Sequence, residues 1–287
     1  MKHHFADLLD RQGNYWKLVP NVERFRYQLE DISLDDQEIN IVTIGKYDEN
    51  WERIYGMSNL EELTLHEPNK SQLEGIKHLE QLKRLRISHA RPKSIEFISK
   101  LSNLEELVLE YVSGFSDLSP LNKLTNLKSI HLENLRRVNN FDGLRGIYSL
   151  KYLNIDGTLD WKQPIENFNF LEDIPNLEVF GLGWIKNESE YPKLKSLIKL
   201  EKLKRIKIIR DTFKTEEFAF IEAALPNIEG AKWELIWEFN DWYEFLGKRA
   251  GKVKCSNPNA KKRCNEFVEK YEKMKNIVRE ELDNYGS

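Results

Sequence analysis

Residues 104–109 read Leu-Glu-Glu-Leu-Val-Leu, in which the first, fourth and sixth positions are apolar and the others vary. The alternation at the end of this phrase predicts a short strand, with apolar side chains in the core and variable ones pointing out. The phrase recurs every 22 or 23 residues, and a unit this short cannot bury its apolar face alone. The repetition therefore predicts a stacked solenoid with one continuous core. The clear copies begin at Leu60, Leu82, Leu104, Leu127 and Leu150.

Looser copies extend the array in both directions. Residues 39–44 fit a first strand, and three further copies begin at Leu177, Leu203 and Ile228. We therefore expect nine parallel strands within an array over residues 39–233. The longer seventh step is either a partner-facing loop or the apolar filling of a larger outer helix. Its large apolar residues are Trp161, Pro164, Phe168 and Phe170.

Between the strands, apolar residues recur every three positions, as at Phe115, Leu118, Leu121 and Leu124. A three-residue period favours short 3₁₀ turns on the outer face. The phrase from Phe115 to Leu127 strongly resembles the internalin-like class of bacterial leucine-rich repeats. The resemblance covers about residues 39–232, and implies an α/β fold, a right-handed solenoid with a parallel sheet on its concave face.

The chain departs from this family three residues after each strand. The family often has Asn or Cys at that position, so its absence predicts less regular turns. The residues found there are Pro68, Ala90, Val112, Leu135 and Thr158.

Both ends of a solenoid expose core unless they are capped. Residues 1–38 mix apolar and charged side chains, and we expect a helical N-terminal cap. Residues 234–287 should form the C-terminal cap, because an aromatic stripe around Trp237 and Phe239 is more often core than a ligand site. Within this cap, residues 260–282 have the spacing of an amphipathic helix.

The composition suits a folded protein with a large wetted surface, since 40% of residues are hydrophobic and 32% are charged. The chain has neither a signal-like start nor an apolar stretch of about 18 residues, so we expect a cytoplasmic protein without membrane association. Cys255 and Cys264 are then reduced thiols, or form a disulfide if the chain is exported.

Sequence motifs for nucleotide, phosphate or metal-dependent catalysis are absent, and no cofactor, metal or catalytic residue is expected. Lys254 beside Cys255 favours a reactive thiolate, as in repeat effectors that carry a ubiquitin-ligase domain. The tail beyond Phe239 is too short for such a domain. We therefore expect a binding protein, and a repeat-containing effector enzyme is the alternative.

The outward residues of successive strands stack into rows because neighbouring strands lie about 4.8 Å apart. Opposite charges at Glu62, Arg84 and Glu106 explain one row as cross-strand pairing. A second row brings together three carboxylates, each pair repelling by roughly 0.8 kcal/mol in water. Stability alone would not select this row, and replacing its acids by amides should keep or raise thermal stability. The row is Glu110, Glu133 and Asp156.

Polar and aromatic residues surround this acidic row, as at many binding hot spots. We expect the centre of a concave surface that binds a protein partner with a basic surface. A solvated acidic face and a bound cation are the alternatives. The expected contact residues are Glu110, Glu133, Asp156, His131, Asn154, Tyr152, Tyr111, Trp184, Arg84 and Arg86.

The tail offers a rival function, because residues 247–265 contain seven basic residues and no acidic one. Such a run is typical of phosphate contacts. However, no aromatic stacking platform is interleaved with it in the sequence, and the net charge is −3. We therefore expect a protein partner rather than nucleic acid, with the oligomeric state left open. The basic residues are Lys248, Arg249, Lys252, Lys254, Lys261, Lys262 and Arg263.

Overall fold

A computed structural model describes residues 10–12, 15–17, 27–32 and 39–285 of the chain. No helix within these ranges is both long enough and apolar enough to cross a membrane.

The predicted helical N-terminal cap falls largely outside the described residues. Of the parts that are described, β1 (Asp10–Gln12) and β2 (Tyr15–Lys17) form an antiparallel pair. A 3₁₀ turn spans Leu29–Asp31, and Leu29 is buried in the main core.

The described residues contain one eight-stranded sheet, and its strands are all parallel. This confirms the leucine-rich repeat solenoid. The strands are β3 (Ile41–Gly45), β4 (Glu62–His66), β5 (Arg84–Ser88), β6 (Glu106–Glu110), β7 (Ser129–Glu133), β8 (Tyr152–Asp156), β10 (Val179–Gly183) and β12 (Arg205–Ile208).

The central apolar position of each strand lies in a single buried column, in the register that the repeat predicts. The opposite side of the core is covered by α1 (Lys70–Gly75) and by short 3₁₀ helices, which explains the three-residue period. The main 3₁₀ helices are Trp51–Gly56, Ile76–His78, Glu96–Lys100, Ser119–Lys123, Asp142–Leu144, Asn169–Asp173 and Lys195–Lys199.

The turns after five of the eight strands share one backbone conformation. The residue that follows each of five strands has a left-handed φ between 47° and 56°. Most of these residues donate their backbone N–H to the next strand, for example Tyr111 N to Glu133 O at 2.9 Å. Backbone hydrogen bonds therefore replace the missing side-chain ladder. The left-handed residues are Glu67, His89, Tyr111, Asn134 and Trp184.

An asparagine ladder does exist at the other end of the strands, just before each strand begins. Asn103, Asn126 and Asn176 donate from Nδ2 to carbonyl oxygens of the preceding repeat, at 2.7–3.0 Å. These bonds satisfy backbone acceptors that would otherwise lack partners where each 3₁₀ helix ends.

The ninth strand predicted at residues 228–233 is wrong. Only Glu229 forms a bridge there, with Arg205. The next residue, Gly230, has a φ of 80°, and a Cβ on it would lie 2.0 Å from Ile206 O. This close approach in a left-handed conformation ends the extended backbone before a strand can form.

The long seventh step is mainly core. Phe168 and Phe170 are buried, whereas Trp161 is half-buried. Instead of a larger outer helix, β9 (Gln163–Ile165) pairs in parallel with β11 (Ile185–Asn187).

Two helices and a small sheet follow the array, and the main core continues into them through Phe218, Leu246 and Tyr271. The final helix packs on α2, where Tyr271 Oη and Lys275 Nζ both donate to the Glu222 carboxylate, at 2.9 and 2.8 Å. The elements are α2 (Thr215–Ala224), the antiparallel strands β13 (Ile236–Phe239), β14 (Trp242–Phe245) and β15 (Lys252–Lys254), and α3 (Ala260–Tyr285).

One expectation about this cap is wrong. Trp237 and Phe239 are exposed and stack on each other, with ring centroids 5.0 Å apart, because alternation along β13 turns them away from the core. The basic run also has an aromatic neighbour, since Lys252 and Lys254 lie over the Trp242 ring. Antiparallel pairing of β14 and β15 brings these residues together, although they are distant in sequence.

Candidate functional site

The outward side chains of the eight-stranded sheet lie in the predicted rows. Glu110 pairs with Glu133 across β6 and β7, and Glu133 pairs with Asp156 across β7 and β8. Arg84 binds Glu62, with Nε 3.0 Å from Oε2, as cross-strand pairing predicts.

Glu110 is not an isolated member of an acidic row, contrary to expectation. Arg86 donates to its Oε2 from Nη2 at 2.5 Å and from Nε at 3.1 Å. Arg86 is 2% exposed and Glu110 is 8% exposed, so this ion pair is buried. Direct row neighbours alone do not reveal it, because the two residues lie diagonally across β5 and β6.

His131 contacts both Asn154 and Glu133. Its Nδ1 lies 3.0 Å from Asn154 Nδ2, and its Nε2 lies 3.5 Å from Glu133 Oε2. If Asn154 donates to Nδ1, the other ring nitrogen carries the proton and faces the carboxylate. In that tautomer, His131 accepts from Asn154 and directs its Nε2–H toward Glu133.

Asp156 is the most perturbed carboxyl of the acidic row. Burial raises its pKa to about 6, and the Glu133 charge adds to the increase, whereas His131 opposes it. Its Oδ1 is buried and has no hydrogen-bond partner among the described residues. Asp156 therefore changes charge in a pH range where ordinary aspartates are fully ionised.

Aromatic rings continue the site beyond the ends of the strands. Tyr111 is 41% exposed and stacks on His89, with centroids 4.8 Å apart and planes 4° apart. The Tyr111 hydroxyl lies close to the Glu133 carboxylate, and the pKa of Tyr111 is raised by burial first and then by the Glu133 charge. His66 meets His89 edge to face at 5.4 Å.

His66 and His89 were not among the expected contact residues. His66 lies three positions beyond the central apolar column, in the row of Glu110, and His89 lies one position farther, in the left-handed turn. Tyr111 and Trp184 also occupy that turn position.

The site does not bring all the expected residues to the surface. Tyr152 is 5% exposed, so its ring offers little area to a partner. His131 is also buried, whereas Asn154 is half-buried. The accessible part, which we call the strand-end surface, consists of His66, His89, Tyr111, Glu133, Asp156 and Trp184.

Glu110, His131 and Glu133 offer three ligand atoms within 4.8 Å of one another, which a metal ion could use. However, the Arg86 guanidinium already neutralises Glu110, and a cation would have to displace it. The internal hydrogen bonds account for the cluster, and we assign no metal to it.

The thiols are remote from this surface, in the C-terminal cap. Cys255 and Cys264 are both free and half-buried. Burial raises the pKa of Cys264, and the neighbouring Cys255 adds to the increase, which disfavours the nucleophilic thiolate.

No family model matches the chain, and no curated protein is significantly similar to it. Similar solved structures include two internalins and a leucine-rich repeat protein. An internalin C2 of Listeria monocytogenes is 22% identical, with a TM-score of 0.47, over 62% of this chain and 77% of that one. A second Listeria monocytogenes internalin, inlF, is 19% identical, also with a TM-score of 0.47, over 69% and 61%.

A leucine-rich repeat protein of Leptospira interrogans is 14% identical, with a TM-score of 0.36, over 64% of this chain and 58% of that one. At these TM-scores, the likenesses carry no statement about what this chain binds.

Proposed function

We propose that this chain is a non-catalytic, cytoplasmic interaction module that binds a protein partner with a basic surface. The strand-end surface is the proposed contact. The observation that carries the proposal is an exposed, stacked Tyr111 whose hydroxyl lies close enough to the Glu133 carboxylate to feel its charge. Asp156 follows on the next strand. An aromatic anchor beside acidic groups matches both the apolar and the charged parts of a protein interface.

The proposed mechanism is rigid presentation. The strand ladder fixes the spacing of the acidic side chains, and the left-handed turns fix the direction of Tyr111 and His89. Because these groups are ordered before binding, association loses less conformational entropy than it would on a flexible loop. Glu133 and Asp156 would increase the association rate of a basic partner, whereas Tyr111 would slow its dissociation.

Affinity capture from the native cell tests this proposal, with wild-type protein and the Tyr111→Ala variant as baits. Tyr148→Ala is the matched control, because Tyr148 is also exposed and lies away from the strand-end surface. We expect one partner to be retained by wild type and by the control, and lost by Tyr111→Ala. A partner that both variants retain would contradict the proposed surface.

A further inference from the structure

A second site lies between the last repeats and the C-terminal cap. The start of α2, the loop at residues 247–251 and one face of α3 enclose a cavity of about 480 Å³. This volume is within the range of small-molecule sites. The cavity is separate from the strand-end surface, and the proposed function does not use it.

Positive charge dominates the cavity lining. Five cationic side chains contribute to it, against one carboxylate, Glu216, which lies 3.7 Å from Lys214. Among the described residues, no carboxylate lies within 4.0 Å of the charged groups of Lys248, Arg249 or Lys270. Like charges around one cavity repel one another, and a bound anion would relieve this repulsion. The cationic residues are Lys193, Lys214, Lys248, Arg249 and Lys270.

Neutral features of the lining also suit an anion. The hydroxyl of Thr212 is buried and has no hydrogen-bond partner among the described residues. The ten-residue helix α2 begins at Thr215, so the positive end of its dipole faces the cavity. Arg249 has a φ of 62°, a strained conformation that non-glycine residues adopt mainly where surrounding structure or function requires it.

We propose that this cavity binds a small molecule that carries a phosphate group. Lysine and arginine side chains give charge-assisted hydrogen bonds to phosphate oxygens, and a helix N-terminus adds favourable backbone dipoles. Phe267 also lines the cavity and is half-buried, so it provides apolar area for the rest of the ligand. The basic run at residues 247–265 thus contains two residues of an anion site, Lys248 and Arg249.

Calorimetric titration with inorganic pyrophosphate tests the proposal. The double variant Lys248→Gln, Arg249→Gln removes two cavity charges. The double variant Lys261→Gln, Lys262→Gln removes two charges of the same segment that lie on α3 and do not line the cavity. We expect wild type and this control to bind pyrophosphate with the same affinity. The cavity variant should bind at least about tenfold more weakly, because a hydrogen bond to a charged group contributes more free energy than a hydrogen bond between neutral groups.

The proposal would be overturned if wild-type protein did not bind pyrophosphate at low salt, or if both double variants lost binding equally. Equal losses would show general attraction to the basic segment. Titration with a random DNA duplex tests for a nucleic-acid surface. Duplex binding that is tighter than pyrophosphate binding and that requires Lys261 and Lys262 would indicate such a surface and overturn the proposal. Thermal melts confirm that each variant is folded.

Discussion

Arg86 and Glu110 form a buried, doubly hydrogen-bonded ion pair that connects β5 to β6. Arg86 is in register with Val108, so its partner lies two residues farther along the neighbouring strand. Long side chains reach such diagonal positions. The acidic row is therefore not uniform, because Glu110 is neutralised within the sheet while Glu133 and Asp156 remain for other interactions.

The sequence predicts that an amide in place of Glu110 keeps or raises thermal stability, and the ion pair with Arg86 predicts the opposite. Glu110→Gln should destabilise the protein by about 3 kcal/mol, because it takes the charged partner from a buried guanidinium. Denaturant unfolding measures the change. Glu105→Gln is the control, since Glu105 forms a partly exposed ion pair with Lys128, and its loss should be at most about 1 kcal/mol. Equal losses in the two variants would contradict a structural role for the buried pair.

Asp156 should make the protein less stable as pH rises. Its pKa in the folded protein, about 6, is above the ordinary value near 3.8. Between these values the folded state binds more protons than the unfolded state, so stability falls as pH rises from about 4 to 6. At pH 7, Asp156→Asn should be more stable than wild type by about 1 kcal/mol, after allowance for solvent screening.

Urea unfolding at pH 4 and pH 7 measures this effect, and the advantage of Asp156→Asn should disappear at the lower pH. Asp160→Asn removes an exposed carboxyl from the following loop and should stay within about 0.5 kcal/mol of wild type. An Asp156→Asn advantage that is the same at both pH values would exclude titration of Asp156 as its cause.

The buried column predicts a large loss for Leu107→Ala, about 2 to 5 kcal/mol, because Leu107 is surrounded by core on both neighbouring strands. Leu159→Ala removes the same atoms from an exposed position and should have little effect. Denaturant unfolding compares the two variants. A loss below about 1 kcal/mol for Leu107→Ala would argue against this register.

The C-terminal cap should be required for solubility. Truncation after Phe239 removes Leu246 and Tyr271, which are both buried in the main core. The apolar surface left behind should cause aggregation, which size-exclusion chromatography detects. Truncation after Asp283 leaves these contacts in place and is the control. A soluble, monodisperse protein ending at Phe239 would contradict the capping role.

The repeat pattern was sufficient to predict the parallel sheet, its register and the 3₁₀ turns. Alternating apolar residues predict the strands, and apolar residues at every third position predict the turns. The buried column that contains Leu107 and Ile130 follows directly from the alternation. The prediction of a ninth strand was wrong because Gly230 is in close contact with the backbone of Ile206, which the alternation of apolar residues does not show.

The candidate site was harder to predict because it depends on contacts between rows. The sequence places Glu110 beside Glu133, but it does not show that Arg86, which is in register with Val108, reaches diagonally to Glu110. It also does not show that Tyr152 is buried while Tyr111 is exposed. Similarly, the platform formed by Lys252 and Trp242 arises only when β14 and β15 pair.

The most direct test of the proposed function is the salt dependence of association between the captured partner and the double variant Glu133→Gln, Asp156→Asn. This variant keeps Glu110 and its bond to Arg86, so the fold is preserved. The control is Glu61→Gln, Glu105→Gln, which removes two charges next to the opposite ends of the strands. We predict slower association for the first variant, with a weaker dependence on salt, and wild-type behaviour for the control. Unchanged affinity and salt dependence in the first variant would contradict binding through the strand-end surface.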